Sequence, residues 1–400
     1  MQFETVGLPP AGSTIAVGMS GGVDSTLAAL LLQERGCTVV GLTMAKWDGG
    51  SSFGLEQGTG GCYGPDELES IERCREFCAE HNIDYHVIDV QDEYRDSVLE
   101  YFKAEYRSGR TPNPCIQCNP EIKFGILISR AKKQGIAFDY FCTGHYARLV
   151  RPAESIAKLY TELAPAEQKE SAVCTEADGE ERPILLAEGS DARKDQSYFL
   201  YRIPQHVLKT VRFVFSGMTK QQVYELARER GLAAAEQKES QDFVPPECFE
   251  SLFSDMPAQQ GDFILSDGTV LGKHRGIQYY TVGQRRGLGV SAKHPLYVRS
   301  IDAVHNRIEL CGNDGLLCRA LEADNWVWAG DCAPKTPIRA KVKIRLASEP
   351  ADAVIAPLTQ NTWRITFDTV QRAVAPGQSA VVYYNHIILG GGVITRGIYE

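Results

Sequence analysis

Residues 18–25 read Gly18-Met19-Ser20-Gly21-Gly22-Val23-Asp24-Ser25 and connect an apolar run, residues 15–19, to a helical pattern over residues 25–35. Small residues in such a loop let several backbone N–H groups approach one oxyanion. The hydroxyls of Ser20 and Ser25 add donors, and the helix that follows presents the positive end of its dipole to the same point. The loop is therefore predicted to bind nucleotide phosphates, and a pyrophosphate suits it.

Asp24 stands in this loop where a phosphate-binding lysine is common, and the sequence contains no Gly-x-x-x-x-Gly-Lys-Ser/Thr motif. A carboxylate next to phosphates is tolerated mainly when Mg²⁺ lies between them, so Asp24 is a candidate for metal-linked positioning. The alternative interpretation of the loop is a strand-to-helix turn without a ligand.

The length and composition of the chain limit the classes of protein to which it can belong. A chain of 400 residues is longer than one hydrophobic core usually serves, so two or three domains are expected. Residues 1–13 carry no basic targeting region and the apolar runs are too short for a bilayer, so we expect a cytoplasmic protein without a membrane anchor. In that compartment the 12 cysteines indicate core thiols and a few reactive ones rather than a disulfide framework.

The net charge of −9 does not indicate a nucleic-acid-binding protein, but it does not exclude one. Affinity for a polyanion depends on a local basic surface, and Lys/Arg clusters occur at residues 273–275, 284–286 and 339–345. The alternative interpretation of each cluster is a solvated charged face.

The order of predicted elements indicates an α/β fold. Strands and helices alternate over residues 13–143, with a strand at 140–143, which predicts a doubly wound parallel sheet that binds ligands at the carboxyl ends of its strands. Short alternating segments at 265–271, 296–301, 307–311 and 339–344 predict a C-terminal β-barrel. We expect domains at 1–232, 233–300 and 301–400, with a polar, flexible insertion at 151–183.

Cys115 and Cys118 lie in a second notable segment, Arg110-Thr111-Pro112-Asn113-Pro114-Cys115-Ile116-Gln117-Cys118-Asn119. Two prolines stiffen the loop, and the following helix would stabilise a thiolate at its N-terminus. A reactive cysteine is therefore predicted here. Half of a zinc site and a thioredoxin-like redox pair are alternatives, although no second cysteine pair lies nearby.

Several motifs together resemble the tRNA-specific 2-thiouridylases of the MnmA/TrmU type. Besides the two loops above, they are Thr143-Gly144-His145-Tyr146-Ala147-Arg148, Lys194-Asp195-Gln196-Ser197-Tyr198, Gly272-Lys273-His274, residues 281–289 and Ala375-Pro376-Gly377-Gln378. The resemblance runs in order from about residue 13 to about residue 396. It implies use of ATP to adenylate the 2-oxygen of the wobble uridine, which sulfur on an enzyme cysteine then replaces.

The resemblance also implies roles for individual residues. The nucleotide would be bound by Gly18, Met19, Ser20, Gly21, Gly22, Val23, Asp24, Ser25, Met44 and Gly144. Cys118 would be the nucleophile, with Cys115 and Asp24 as further catalytic residues. The positions that match tRNA-contacting residues are Asn113, Pro114, Cys115, His145, Lys194, Asp195, Gln196, Arg345, Leu346 and Gln378.

Val244 is the informative departure from this pattern. Many members carry a second catalytic cysteine there, and Pro245-Pro246 makes Cys248 a poor substitute. Instead the chain has Cys62 and Cys115, and we hypothesise that these converge with Cys118. Three thiolates could then bind a [4Fe–4S] cluster with one open iron, whereas persulfide chemistry on Cys115 and Cys118 is the alternative.

The sequence therefore predicts an ATP- and Mg²⁺-dependent tRNA uridine 2-sulfurtransferase. Its expected partners are the tRNA anticodon stem-loop and a sulfur donor such as a cysteine desulfurase or a sulfur-relay protein. Two alternatives remain: an adenylating ligase with the same loop that acts on a small molecule, and a tRNA-binding homologue without catalysis.

Overall fold

The protein forms two compact units in a computed structural model that describes residues 1–49, 62–171, 182–236, 243–244, 249–254, 258–359 and 361–399. The first unit comprises Met1–Leu99, Pro114–Ala153 and Arg182–Ser254, and the second comprises Glu100–Asn113, Glu154–Glu181 and Asp255–Glu400. Residues 100–113 and 154–181, which we expected in the N-terminal domain, thus belong to the second unit.

The first unit is built on a parallel sheet. Its described strands are β1 (Phe3–Thr5), β2 (Thr14–Gly18), β3 (Thr38–Ala45), β4 (Asp84–Asp89), β5 (Tyr140–Thr143), β6 (Ala147–Pro152), β7 (Leu185–Glu188) and β8 (Val211–Phe213). Five of them pair in parallel in the order β4-β3-β2-β5-β8, and β1, β6 and β7 pair antiparallel. This confirms the predicted parallel sheet, including the strand at 140–143.

The strand order decides where a ligand can bind. From β2 the chain first adds β3 and β4 on one side and then returns to add β5 and β8 on the other. The connections therefore diverge between β2 and β5, and such a switch point opens a crevice at the carboxyl ends of the strands. The glycine-rich loop follows β2, and Gly144 follows β5.

The α-helices in the described residues are divided between the two units. They are α1 (Val23–Glu34), α2 (Asp66–Glu80), α3 (Gln91–Tyr94), α4 (Glu100–Arg107), α5 (Pro114–Cys118), α6 (Leu127–Lys133), α7 (Ile156–Leu163), α8 (Gln205–Leu208) and α9 (Lys220–Glu229). Of these, α4 and α7 belong to the second unit. Two π-helices, Arg95–Leu99 and Asn119–Ile126, continue into α4 and α6. No helix within the described ranges is both long and apolar enough to cross a membrane.

The second unit contains two β structures. A four-stranded sheet has the order β10-β9-β12-β11, with β9 (Gly261–Ile264), β10 (Val270–His274), β11 (Tyr297–Asp302) and β12 (Arg307–Cys311). The predicted strand at 265–271 is wrong, because 265–269 form the turn between β9 and β10. The side chain of Asp267 accepts a hydrogen bond from Thr269 N–H there (2.9 Å), and Gly268 has φ 84°.

The predicted C-terminal barrel is confirmed. Its strands are β13 (Leu317–Trp328), β14 (Ile338–Lys343), β15 (Ala351–Pro357), β16 (Trp363–Arg372), β17 (Ser379–Tyr384) and β18 (Ile387–Ile398). They pair antiparallel in the cyclic order β13-β16-β15-β14-β17-β18, and β18 closes on β13. Closure pairs the edge strands, which would otherwise expose backbone hydrogen-bonding groups.

Part of the segment at 151–183, expected as a flexible insertion, forms the packed helix α7. Ser155 caps this helix by accepting a hydrogen bond from Lys158 N–H, and Ile156, Leu159 and Tyr160 are buried. These apolar residues recur at helical spacing within a polar segment, which the overall composition conceals. Residues 172–181 lie outside the described ranges.

Buried thiols account for part of the cysteine content. Cys37, Cys74, Cys78 and Cys142 are free and buried in the first unit, as their apolar surroundings in the sequence predicted. Cys332 in the second unit is disulfide-bonded, which corrects the expectation of thiols throughout.

Candidate active site at the carboxyl ends of the parallel strands

The glycine-rich loop is held in shape by its own serines. The Ser25 hydroxyl accepts a hydrogen bond from Ser20 N–H (3.2 Å) and donates one to the Gly22 carbonyl (2.9 Å). Gly21 adopts φ 76°, a conformation that favours glycine. Gly22 has no side chain to cap α1, so the N–H groups of the first helical turn are oriented for an anion.

Asp24 is bound by a lysine that the sequence analysis did not name. Lys220, the first residue of α9, donates to both carboxylate oxygens of Asp24 at 2.7 and 2.8 Å. Tyr146 donates to the same carboxylate at 2.9 Å, and the Lys220 ammonium lies 4.7 Å from the centre of the Tyr224 ring. The lysine side chain is 8% exposed and that of Asp24 is 29% exposed, so water screens this ion pair only in part.

Gly144 packs directly against Asp24. A Cβ atom at Gly144 would lie 2.8 Å from Asp24 Cβ and 3.0 Å from its backbone carbon, closer than real Cβ atoms come. The end of β5 and the start of α1 are thus in contact at the switch point. Met44 lies near the end of the adjacent strand β3 and is partly buried.

Cys62, Cys115 and Cys118, called the cysteine cluster below, lie close enough for each to influence the charge of another. The charges of Cys62 and Cys115 both raise the pKa of Cys118, and the charge of Cys62 raises that of Cys115. Cys62 and Cys115 are exposed, and Cys118 is half-buried. The structure therefore brings these three predicted cysteines together.

The surroundings of Cys115 and Cys118 favour thiols over thiolates. Burial raises the pKa of Cys118 to about 12. Neighbouring protein atoms also raise the pKa of Cys115, although its side chain reaches the surface, and the nearby Lys123 lowers both. The predicted stabilisation of a thiolate by a helix N-terminus stays a prediction. The helix α5 continues through the π-helix Asn119–Ile126 into α6, so Cys115 and Cys118 lie near the N-terminus of one long helical segment, where burial opposes the thiolate.

A buried ion pair lies beside the cysteine cluster at the end of β3. The Glu67 carboxylate accepts hydrogen bonds from Lys46 Nζ (2.6 Å), Lys46 N–H (2.7 Å) and Trp47 N–H (2.9 Å). Burial lowers the pKa of Lys46, but the charges of Cys62, Glu67 and Cys118 outweigh it, and the pKa is raised overall. Lys46 is therefore a cation next to the thiols at neutral pH.

His145 follows Gly144 and contacts a lysine of the cysteine segment. Its Nδ1 lies 2.7 Å from the Thr143 hydroxyl, and its Nε2 lies 3.5 Å from Lys123 Nζ. Burial and the Lys123 charge hold the pKa of His145 well below its usual range. The ring also packs against Phe124 and Phe213, so His145 is a neutral, partly buried residue in this arrangement.

The π-helix Asn119–Ile126 explains how Lys123 reaches both partners. Its hydrogen bonds join residues five apart, as from Leu127 N–H to the Ile122 carbonyl, which stacks residues i and i+5 on one side. In an α-helix, residues 118 and 123 would point about 140° apart. A Cβ at Gly125 would lie 2.7 Å from the Pro120 carbonyl oxygen, so this turn requires glycine.

Two of the predicted tRNA-contacting residues have internal partners. Asp195 is 8% exposed, and its carboxylate accepts hydrogen bonds from Gly189 N–H, Ser197 N–H and the Ser197 hydroxyl. The Gln196 side chain accepts a hydrogen bond from Tyr146 N–H at 3.0 Å. Both residues therefore shape the loop that follows β7 and hold Tyr146, which in turn contacts Asp24.

Lys194, unlike Asp195 and Gln196, is exposed to solvent. It lines a cavity of about 510 Å³ together with Arg193, Lys220 and Arg228. This cavity presents four cations next to the buried carboxylate of Asp191. The Asp191 carboxylate accepts hydrogen bonds from the N–H groups of Lys220 and Arg193.

Four further predicted tRNA-contacting residues, Asn113, Arg345, Leu346 and Gln378, belong to the second unit, whereas Pro114 begins α5 in the first. Gln378 donates hydrogen bonds to the carbonyls of Thr111 (3.0 Å) and Pro112 (3.3 Å), next to Asn113. Gly377 has φ 91°, and a Cβ there would lie 2.8 Å from the Thr111 carbonyl oxygen. The pair Arg345-Leu346 is exposed in the turn after β14.

The cysteine cluster is not arranged as a metal-ligand set. Within the described ranges, no group of three or more His, Cys, Asp or Glu side chains is placed to hold a metal ion. Segment 243–244 lies next to it, because Tyr63 N–H donates to the Phe243 carbonyl at 3.1 Å. Tyr63 and Phe243, the chain neighbours of Cys62 and Val244, are thus in contact, while Cys248 lies outside the described ranges.

Comparisons with known proteins agree with this architecture. Three family models match the chain: the tRNA methyl transferase HUP domain over residues 13–249, the tRNA methyl transferase PRC-barrel domain over 250–311 and the aminomethyltransferase beta-barrel domain over 318–394. A tRNA-specific 2-thiouridylase MnmA of Syntrophomonas wolfei subsp. wolfei is 38% identical over 95% of this chain and 99% of its own length. The chain belongs to the MnmA family.

A second MnmA protein, from Endomicrobium trichonymphae, is 39% identical over 95% of this chain and 98% of its own length. The MnmA family assignment thus covers both units and confirms the resemblance found in the sequence. One family model ends at residue 249 and the next begins at 250, and the third begins at 318 after the second ends at 311. The domain boundaries at 232 and 300 that the sequence analysis expected stay predictions.

Proposed function

We propose that this chain catalyses the ATP-dependent 2-thiolation of the wobble uridine in tRNA. The observation that supports it most is the placement of Cys118 and Lys123 one π-helical turn apart, with Lys123 linked through His145 to the glycine-rich loop. Lys123 influences Cys118 and contacts His145, and the adjacent Gly144 packs on Asp24 of the loop. A nucleotide and a sulfur nucleophile would then share one crevice. The relatives named as tRNA 2-thiouridylases agree with this chemistry.

In the first step, the uridine 2-oxygen attacks the α-phosphorus of ATP and pyrophosphate leaves. The glycine-rich loop and the N-terminus of α1 would bind the phosphates, with Met44 and Gly144 near the base. A urea-like carbonyl loses its oxygen poorly, and adenylation converts that oxygen into a leaving group that the loop already holds. Carboxylate oxygens suit Mg²⁺, and we propose that Asp24 positions the metal bound to these phosphates, for which Lys220 would have to move from the carboxylate to the phosphates.

In the second step, sulfur attacks the uridine C2 and AMP leaves with the original oxygen. We propose that Cys118 delivers this sulfur as a persulfide, with Cys115 or Cys62 as the second thiol. Attack of that thiol on Cys118 Sγ releases the transferred sulfur and leaves a disulfide, which an external dithiol reduces. Of the two, Cys62 is favoured as the second thiol, because its neighbour Tyr63 contacts Phe243. The adjacent Val244 is the position at which the family pattern has its second cysteine.

The [4Fe–4S] hypothesis stays a prediction, because the cysteine cluster is not a ligand set in this arrangement. Iron and sulfide analysis of anaerobically purified protein tests it directly. Stoichiometric iron that is lost in Cys62→Ser would favour a cluster, and full thiolation by iron-free protein would overturn it.

We propose that tRNA contacts the exposed candidates Cys115, Lys194, Arg345 and Leu346, together with Asn113, Pro114 and His145. Asp195, Gln196 and Gln378 would instead support the loops that carry them. A bound anticodon loop has unpaired bases, so extruding the wobble base costs little. A cysteine desulfurase or a relay protein would supply the sulfur.

The test is in vitro thiolation with ATP, tRNA and a sulfur donor, followed by mass spectrometry of wobble nucleosides. Wild-type protein should form 2-thiouridine and release pyrophosphate. Cys118→Ser should abolish the thionucleoside, whereas the matched control Cys311→Ser, in β12 of the second unit, should retain it. Pyrophosphate release without tRNA modification would indicate a small-molecule ligase, and tRNA binding without pyrophosphate release would indicate a non-catalytic homologue.

A further inference from the structure

The stretch of residues 268–301 in the second unit carries positive charge and contains no acidic residue. Asp and Glu make up 51 of the 400 residues and the net charge of the chain is −9, so a stretch of this length without either departs from the rest of the sequence. Its lysines and arginines are Lys273, Arg275, Arg285, Arg286, Lys293 and Arg299. A locally positive surface on an acidic protein attracts polyanions and determines where they bind.

The cations of this stretch differ in whether an acidic neighbour neutralises them. Lys273 Nζ lies 2.6 Å from a carboxylate oxygen of Asp262, and Arg299 lies 3.1 Å from Glu309, so both charges are compensated locally. Three exposed side chains instead form no ion pair or hydrogen bond within the described ranges. They belong to residues 284–298, called the basic loop below, and are Arg285, Arg286 and Lys293.

The basic loop is held in one conformation at its two ends and at its centre. Gly283 N–H donates to the Val298 carbonyl at 2.8 Å, and Val298 N–H donates to the Gln284 carbonyl at 3.0 Å. The Gln284 side chain also donates to the Arg286 carbonyl at 3.0 Å. Leu288 is 7% exposed and belongs to the hydrophobic core of the four-stranded sheet. The unpaired cations are therefore presented by a preorganised backbone, which reduces the entropy lost when a ligand binds.

The basic loop folds around a cavity of about 480 Å³. Arg285, Lys293 and His294 line it, and its other described lining residues are glycines and apolar residues, so no carboxylate among them competes for the cations. Gly287 and Gly289 adopt φ 75° and 68°, which gives the loop its tight turns. A guanidinium and an ammonium group that line one concave surface suit an anionic oxygen ligand such as a phosphate.

The distribution of the three cations favours a chain of phosphates over a single phosphate. Arg285 and Lys293 line the cavity, whereas Arg286 does not. Proteins bind nucleic acids independently of sequence through such contacts of lysine and arginine with successive phosphates. We propose that the basic loop binds the phosphodiester backbone of tRNA. This surface lies outside the residues predicted to contact tRNA, and its assignment to tRNA depends on the proposed function, which requires this polyanion.

The test compares two double variants that each remove one arginine and one lysine. Arg285→Gln with Lys293→Gln removes two unpaired cations of the basic loop. Arg299→Gln with Lys273→Gln is the matched control, because it removes two cations that are already compensated. Both variants change the net charge equally, so a difference between them reports local contacts with the RNA rather than the overall charge of the protein.

The affinity of the full chain for tRNA is measured by fluorescence anisotropy over a series of salt concentrations. Each lost phosphate contact reduces the slope of log Kd against log salt concentration by about 0.9, so the loop variant should lose about 1.5–2 of this slope. Its Kd should rise about tenfold or more at about 0.1 M salt. The control variant should keep a slope within about 0.5 of wild type. Arg285 and Lys293 are exposed, so the melting temperature of the loop variant should stay close to that of wild type.

Equal slopes and equal Kd values in the two double variants would overturn the proposal. Unchanged tRNA binding by the loop variant, with thiolation lost only when a protein supplies the sulfur, would also overturn it, because the loop would then bind that protein. The binding measurement does not require turnover. Wild-type protein that binds tRNA without thiolating it would contradict the proposed function and leave this test intact, whereas thiolation by wild type with equal slopes would overturn the assignment of the basic loop alone.

Discussion

Three lysines that the sequence analysis did not name form ion pairs or hydrogen bonds with residues of the candidate site. Lys46 pairs with Glu67, Lys123 contacts His145, and Lys220 binds Asp24. The last pair is separated by 196 residues in the chain. Lysine is usually a surface residue, so its sequence context carries no sign of burial or of a distant partner. Only a known sequence motif that contained both residues of a pair would have identified these pairs.

Lys123→Gln should make Cys118 harder to deprotonate. The lysine charge lowers the pKa of Cys118, so its removal should shift the pH profile of alkylation to higher pH and slow iodoacetamide labelling at pH 8 about threefold to tenfold. The rate is measured for the Cys118 peptide by mass spectrometry.

Lys123→Arg is the control for this experiment, because it keeps the charge and should retain a profile close to wild type. An identical profile for Lys123→Gln and wild type would show that the lysine does not influence the nucleophile.

Among the elements, the π-helix Asn119–Ile126 has the clearest consequence for the site. The sequence analysis expected an ordinary helix after the segment of Cys115 and Cys118, and apolar spacing does not distinguish a π-turn from an α-turn. The difference decides whether Lys123 and Cys118 share a side of the helix. π-Turns are rare and are retained mainly where they place functional groups.

Gly125→Ala should disturb this element specifically. The added Cβ would meet the Pro120 carbonyl oxygen at 2.7 Å, so the π-turn must open or change to α-helical spacing. We expect the Cys118 alkylation profile to shift toward that of Lys123→Gln and the unfolding free energy to fall by about 1–3 kcal/mol, as overpacking typically costs.

Gly217→Ala provides the comparison, because nothing lies within 4 Å of its added Cβ. It should leave both the alkylation profile and the stability near wild type. Equal behaviour of the two alanine variants would mean that the close approach at Gly125 does not constrain the helix.

Across the whole molecule, each unit contains one histidine that is held neutral. Burial lowers the pKa of His145 in the first unit and of His274 in the second. His274 Nδ1 accepts a hydrogen bond from Gly276 N–H at 3.2 Å, which a protonated ring could not do. Both histidines therefore gain their folded-state contacts in the neutral form.

Both units should lose stability in acid. When the folded pKa lies below the unfolded value of about 6.5, the unfolded chain binds more protons, and stability falls as the pH drops below that value. Each histidine contributes a slope of up to about 1.4 kcal/mol per pH unit, measured by urea unfolding between pH 7.5 and 5.5. His145→Gln and His274→Gln should each flatten the profile. Steeper or unchanged profiles would contradict the assignment of these histidines.

Local chemistry explains which features were predictable. The glycine-rich loop, the strand at 140–143 and the alternation of strands and helices follow from short-range patterns, and so do the barrel strands and the Pro-Cys segment. These patterns depend on backbone conformation and burial within a few residues. They were sufficient to predict the fold class and the edge of the sheet where the candidate site lies, whereas the MnmA family followed from the resemblance of several motifs to known members.

The partners of the site residues follow instead from the packing of distant segments. Asp24, in the helix after β2, meets Lys220, in the helix after β8, because both strands belong to the same parallel sheet. Burial there also raises the pKa of the Cys118 thiol, which opposes the thiolate expected near a helix N-terminus. Desolvation and charge pairing depend on everything within several ångströms, and a linear pattern does not encode that environment.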